Sequence, residues 1–135
     1  FMYRLIKSGV ARELSTNLVE EYANLSCCVV GVTGKLVRED KRVVAALTQA
    51  ILEAHDYSVQ HPEAVAKGFQ AYALNTSTEE VQAILHDHTH GHHAVGAALT
   101  QEITTYVTDL KTVEVISKGT DPVDFAKEIT ADVFS

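Results

Sequence analysis

The sequence predicts an α/β protein that is mostly helical and contains few strands. Residues 27–33 (CCVVGVT) form a β-branched apolar run, which is typical of a strand covered on both faces. After this run, apolar residues recur at helical spacing in several successive segments. One clear strand followed by many helices is unusual, because a strand needs partner strands for its backbone groups. We therefore expect the sheet to be completed by residues outside this chain or by another copy of it.

The residues before this strand carry weaker signals. Residues 10–16 are predicted to form a short strand or a helical turn, and residues 18–25 to form a weak helix. No low-complexity linker or internal repeat divides the chain. A length of 135 residues with 46% hydrophobic side chains suits one globular domain.

Five helices are predicted after the strand. The first follows from an apolar stripe over residues 43–54, preceded by two acidic residues where a helix dipole favours negative charge, and should reach about residue 59. The second begins at Pro62, because proline is well tolerated at the first helical position. Residues 77–80 read as a capping box that starts the third helix, which should end near Gly91.

The last two helices are predicted from similar signals. An apolar stripe over residues 97–110 indicates the fourth helix, and Asp121 with Pro122 opens the fifth, which carries apolar residues as far as residue 133. Residues 113–116 between them are predicted to form a short strand or an extended link.

The charge balance argues against nucleic acid as a partner. The chain has 18 acidic and 11 basic residues, so its formal net charge of -7 repels phosphate backbones and anionic lipid. No apolar run approaches the roughly 18 residues that span a bilayer.

No serine, cysteine or carboxylate pair stands in a recognisable nucleophile or acid-base setting, so we predict no enzymatic activity.

The only cysteines, Cys27 and Cys28, are adjacent in the sequence. Adjacent cysteines cannot readily reach ordinary disulfide geometry without straining the backbone. We predict that both are reduced and buried, since free cysteine usually packs as a small hydrophobic residue. The competing hypothesis is a reactive or metal-binding pair.

The order and spacing of several short segments resemble a known family. The segments are CCVVGVTGK (27–35), LVRED (36–40), AAL (45–47), ILEA (51–54), HPEA (61–64), LK (110–111), TDP (120–122), FA (125–126) and ITADV (129–133). Together they resemble the C-terminal part of extracytoplasmic solute-binding proteins of ABC importers, of the nitrate, sulfonate and bicarbonate type. The resemblance covers about residues 27–135, and its weight comes from the order of the segments rather than from any single one.

The resemblance implies a two-lobed type II periplasmic-binding-protein fold whose lobes close on a ligand like a hinge. Residues 1–26 would be the end of the second lobe, and residues 27–135 would form one compact unit, the crossing strand and helical C-terminal part of the first lobe. The implied partners are a small anionic solute and an ABC permease, and the implied location is the periplasm or another extracytoplasmic space. Most ligand contacts would come from upstream residues that this chain lacks.

Four residues are candidates for ligand contact. Thr33 and Gly34 follow the predicted strand, at the end where open α/β sheets bind ligands. The alternative for this pair is a turn that leads into a helix. Glu53 and His55 lie beside the apolar stripe of the first long helix, where either could face a cleft between lobes or simply border the solvated face.

A histidine run over residues 86–93 (HDHTHGHH) is the second notable feature. It places five histidines and one aspartate in eight residues. Imidazole binds zinc, nickel and copper well, and helical or extended geometry aligns several of these rings. The candidate metal ligands are His86, His88, His90, His92 and His93. The alternatives are a surface loop inherited with the family pattern and a pH-sensitive loop whose imidazoles become charged together below neutrality.

Two functions therefore compete. The first is a solute-binding component of an ABC importer for a small anion or organic sulfonate, with no cofactor required. The second is a stand-alone metal-binding or regulatory domain that acts through the histidine run, with zinc or nickel as the expected metal. For the second function an incomplete sheet would expose strand edges, which favours a homodimer.

Overall fold

The computed structural model describes residues 2–16, 19, 22–73, 75–88 and 92–135. Helix dominates these ranges, as the sequence predicts, and none of the residues in them belongs to a β-strand. The helices are α1 (Met2–Lys7), α2 (Gly34–Glu39), α3 (Lys41–Gln60), α4 (Pro62–Phe69), α5 (Thr78–His88), α6 (Gly96–Thr112) and α7 (Pro122–Ile129).

The predicted strand at residues 27–33 is wrong for the chain as the structure describes it. These residues form an irregular segment, the 27–33 segment, which pairs with no strand among the described residues. The physical reason is that a strand exists only in a ladder, and apolar β-branched sequence alone cannot supply a partner. The 113–116 link is a turn rather than a strand, with Glu114 at a φ of 61°. Residues 11–16 are likewise irregular, and the predicted 18–25 helix falls partly outside the described residues.

Local capping signals set the helix boundaries. α4 begins at Pro62 as predicted. At the start of α7, the Asp121 carboxylate accepts hydrogen bonds from the backbone N–H groups of Val123 and Asp124, both at 2.9 Å. α7 ends at Ile129, whereas the sequence predicts a helix that reaches residue 133. At this end of α7 the Thr130 hydroxyl donates to the Ala126 carbonyl at 2.8 Å.

The capping box predicted for α5 is confirmed. The backbone N–H of Glu80 donates to the Ser77 hydroxyl at 3.2 Å, and the backbone N–H of Ser77 donates to the Glu80 carboxylate at 3.1 Å. The described part of α5 ends at His88, and Gly91, where the sequence predicts the end of this helix, lies outside the described residues.

Contacts divide the chain into two compact units. The first unit comprises Phe1–Asn24 and Ile51–Gly91, and the second comprises Leu25–Ala50 and His92–Ser135. The sequence predicts one compact unit over residues 27–135, whereas the structure groups residues 51–91 with the N-terminal residues.

In the first unit, α4 packs against α5. The Gln70 side chain joins them, because its amide donates to the Thr76 carbonyl at 2.8 Å and its oxygen accepts from the Thr78 hydroxyl at 2.9 Å. Arg4 of α1 binds the Glu80 carboxylate at 2.7 Å and also contacts the Asn75 carbonyl. Contacts from Gln70 and from Arg4 therefore both stabilise the start of α5.

In the second unit, α6 packs against α7. The Thr100 and Thr130 hydroxyls meet at 2.8 Å. Gly96 begins α6 with a φ of +58°, and a Cβ there would lie 3.1 Å from the Asp132 carboxylate. Glycine is needed at this position because both the backbone conformation and the close approach disfavour a side chain.

Few apolar side chains of the described residues are fully covered. The buried ones are Val44, Ala66, Val107 and Ala126. Val29 and Val30, in the 27–33 segment, are 60% and 54% exposed. Large apolar side chains are normally among the most buried, so this surface suits contact with further protein.

Both cysteines are exposed, so the prediction that they are buried is wrong. The described residues leave both cysteines exposed, as they do Val29 and Val30. The Cys27 and Cys28 sulfurs lie 3.7 Å apart and are not joined by a disulfide.

None of the described helices is both long enough and apolar enough to cross a membrane.

Candidate functional site around Glu102

A buried carboxylate in α6 is the centre of a polar cluster in the second unit. Glu102 is only 8% exposed, and it and Val107 are the buried residues of α6. Glutamate is almost never buried without partners, because removing its charge from water is costly. The partners of Glu102 therefore define the site.

Three groups complete this cluster. One carboxylate oxygen of Glu102 accepts the backbone N–H of Ser26 at 2.9 Å, and the other oxygen contacts Nε2 of His92. The Tyr106 hydroxyl donates to the Ser26 carbonyl at 2.8 Å. Both backbone polar groups of Ser26 are thus bound by side chains of α6, which fixes the start of the 27–33 segment.

Hydrogen bonding keeps the Glu102 carboxyl ionised. Burial by itself would raise the pKa of this carboxyl, but the hydrogen bonds from His92 and from Ser26 outweigh burial and hold the pKa below its ordinary value. At neutral pH the carboxylate is therefore an acceptor only, and the groups that face it must be donors.

His92 is the histidine that this cluster orients. Since the Glu102 carboxylate can only accept, Nε2 of His92 carries a proton and donates it. Among the described residues, none hydrogen-bonds to the other ring nitrogen, Nδ1, and the side chain remains 35% exposed. In its neutral form the ring offers the Nδ1 lone pair to a proton or a metal ion.

The other candidate metal ligands have different surroundings. His86 lies in α5, with a side chain 80% exposed and its Nδ1 atom 2.8 Å from the Asp87 carboxylate. His88 is the last described residue of α5, and His93 is exposed in the segment before α6. His90 lies outside the described residues. The structure assigns His86 and His88 to the first unit, and His92 and His93 to the second.

The candidate ligand residues Thr33 and Gly34 form the start of α2. The Thr33 hydroxyl accepts the backbone N–H of Leu36 at 3.3 Å, so Thr33 is the N-cap and Gly34 the first helical residue. This is the geometry of a turn that leads into a helix. Both residues are exposed, and their role in ligand contact stays a prediction.

The other two candidates, Glu53 and His55, lie in the second half of α3. Glu53 is exposed and His55 is half-buried. The division into units places this pair in the first unit and Thr33 with Gly34 in the second. Their contact with a ligand also stays a prediction.

An open groove of about 300 Å³ lies on the first unit. Its lining residues are Pro62, Glu79, Gln82, Ala83, His86 and Asp87. Two carboxylates in this lining make the groove unsuitable for a small anion at neutral pH, because like charges repel.

Sequence reasoning missed three members of the cluster, Glu102, Ser26 and Tyr106. One signal was present, because Glu102 occupies the apolar stripe of its helix, one turn before Tyr106. A charged residue on such a stripe indicates a buried partner. The identity of that partner was not predictable, since Ser26 is separated from Glu102 by 76 positions.

The chain matches no protein-family model, no curated protein and no solved structure.

Proposed function

We propose that this chain is part of the solute-binding component of an ABC importer for a small anion or organic sulfonate. The observation that carries the proposal is the 27–33 segment, which has the composition of a buried strand yet is exposed and unpaired among the described residues. A crossing strand of a two-lobed α/β protein would have these properties when the rest of its sheet lies elsewhere.

The attachment of this segment supports the same proposal. Ser26 is bound through both its N–H and its carbonyl to α6, so the segment begins at a fixed point in the second unit. A fixed starting point favours addition of the segment to a sheet in one register. Thr33 and Gly34 would then lie where the strand ends and α2 begins, and this is the position at which open α/β sheets bind ligands.

In this proposal the complete protein is exported, closes around its solute and delivers it to a membrane permease. The chain would supply the crossing strand and the closing helices, while most solute contacts would come from the other lobe and from the completed sheet. The chemistry is binding and release, which requires no cofactor.

The test is uptake by the source organism after deletion of the gene. Uptake of nitrate, bicarbonate and taurine would be measured at low micromolar concentration, in the parent, the deletion strain and the complemented strain. We expect the deletion strain to lose high-affinity uptake of at least one of these solutes and to regain it on complementation. Normal uptake of all three would contradict the proposal.

A second function, metal binding through the histidine run, is favoured by the contact between His92 and Glu102. A carboxylate that accepts one ring N–H is the usual outer partner of a metal-binding histidine. The test is equilibrium dialysis of the native protein with Zn²⁺, beside a variant with alanine at all five histidines of the run. A His61→Ala variant is the control, since His61 lies outside the run and stacks on Tyr57. Equal zinc binding by all three proteins would contradict this function.

A further inference from the structure

The cluster around Glu102 distinguishes one histidine of the run from the rest. Nε2 of His92 is occupied by the carboxylate, so this ring has a fixed tautomer and a fixed orientation before any ligand arrives. His86 contacts Asp87 as well, but that pair is 80% and 56% exposed and lies between neighbours in sequence. Glu102, in contrast, is buried and is also bound by Ser26, so it cannot turn away from His92 without losing both contacts.

We propose that Nδ1 of His92, at the C-terminal end of the histidine run, is a ligand for zinc, nickel or copper, and that Glu102 is its positioning residue. The inference rests on the second proposed function and specifies its geometry. Glu102 does not touch the metal ion. Through the Nε2 hydrogen bond it selects the tautomer that leaves Nδ1 unprotonated and fixes the direction of its lone pair.

The class of metal follows from the ligand atoms. Imidazole nitrogen suits zinc, copper and nickel, whereas magnesium and calcium prefer oxygen. His93 is adjacent in sequence, exposed and in the same unit, and water would complete the coordination. A ligand that is oriented beforehand lowers the ordering cost of metal binding, because the metal then has to immobilise fewer groups.

The first experiment is nitrogen-15 NMR of the histidine rings in the native protein, titrated with Zn²⁺. Before zinc is added, we expect His92 to show the Nε2–H tautomer. On zinc addition its Nδ1 resonance should move to a metal-bound position, while Nε2 stays protonated. If zinc binds and the Nδ1 resonance of His92 does not move, the proposal is wrong.

The second experiment compares zinc affinity in Glu102→Gln and Glu128→Gln, which remove the same charge from the same unit. Glu128 is exposed in α7 and serves as the matched control. Glutamine at position 102 retains an oxygen acceptor, so the fold should persist, and circular dichroism would check this. We expect a 10- to 100-fold loss of zinc affinity in Glu102→Gln, as for other outer-shell partners, and about none in Glu128→Gln.

The outcomes distinguish the role of Glu102 from metal binding by the histidine run. If the native protein binds no zinc, metal binding by the run is wrong, and so is the proposed role of His92 and Glu102. If the protein binds zinc and both glutamine variants retain full affinity, the function stands and the role of Glu102 is wrong. If Glu102→Gln unfolds, the His92 resonances of the native protein decide the question.

Discussion

Burying the Glu102 carboxylate in α6 is favourable only while its hydrogen bonds replace the water it has lost. Ser26 and His92 provide these bonds, and Tyr106 completes the set by binding the Ser26 carbonyl. Removing the carboxylate would leave the Ser26 N–H and the His92 N–H without their acceptor. A buried donor left unsatisfied costs about 1–3 kcal/mol.

We therefore predict that Glu102→Ala lowers the free energy of unfolding by about 1–3 kcal/mol, with packing loss included in that range. Urea denaturation would measure the change. Glu128→Ala is the control, because Glu128 is exposed in the same unit. A Glu102 variant as stable as the control would show that the cluster contributes nothing to folding.

A second residue-scale prediction concerns Glu80. The hydrogen bond from Arg4, helped by the backbone N–H of Ser77, lowers the pKa of the Glu80 carboxyl to about 2. Because this pKa is depressed by folding, its contribution to stability is present above the ordinary glutamate pKa and is lost as the pH falls towards 2. We expect Arg4→Gln to raise the Glu80 pKa markedly, and carbon-13 NMR titration would follow it.

Lys7→Gln is the control for this titration, since it removes an equal charge from the end of the same helix. Lys7 has only a weak, through-space effect on Glu80, so the pKa should change little. An unchanged Glu80 pKa in Arg4→Gln would mean that Arg4 does not bind Glu80 in solution.

At the scale of elements, the helices were predictable where their signals are local. The capping box before α5, the proline that opens α4 and the Asp121 cap of α7 all act within three or four residues. The strand was not predictable in the same way, because a strand depends on partners far away in the sequence. The role of Glu102 was not predictable for a related reason, since its partner Ser26 is distant in the chain.

Loss of the capping box should weaken α5. We predict that Ser77→Ala destabilises the protein by about 1 kcal/mol, because the Glu80 N–H loses its acceptor. Thr105→Ala is the control, since this exposed hydroxyl only bonds back to a carbonyl within α6. Equal unfolding free energies for the two variants, measured in urea, would contradict a stabilising cap.

At the scale of the whole molecule, the exposed apolar side chains are the dominant feature. We predict that the 135-residue chain alone self-associates, because the 27–33 segment presents unpaired backbone and exposed valines. Light scattering would measure the mass in solution. Replacing Val29 and Val30 with threonine should shift the chain towards monomer, and a monomeric unaltered chain would contradict the prediction.

Our central claim is that further protein covers this surface and completes the solute-binding fold. The most direct test is the intact mass of the native protein isolated from its source. The account predicts a mass of at least about twice the 14.7 kDa of this chain, since a second lobe of ordinary domain size must be present. A native mass equal to that of this chain would contradict the solute-binding account and leave metal binding as the function to pursue.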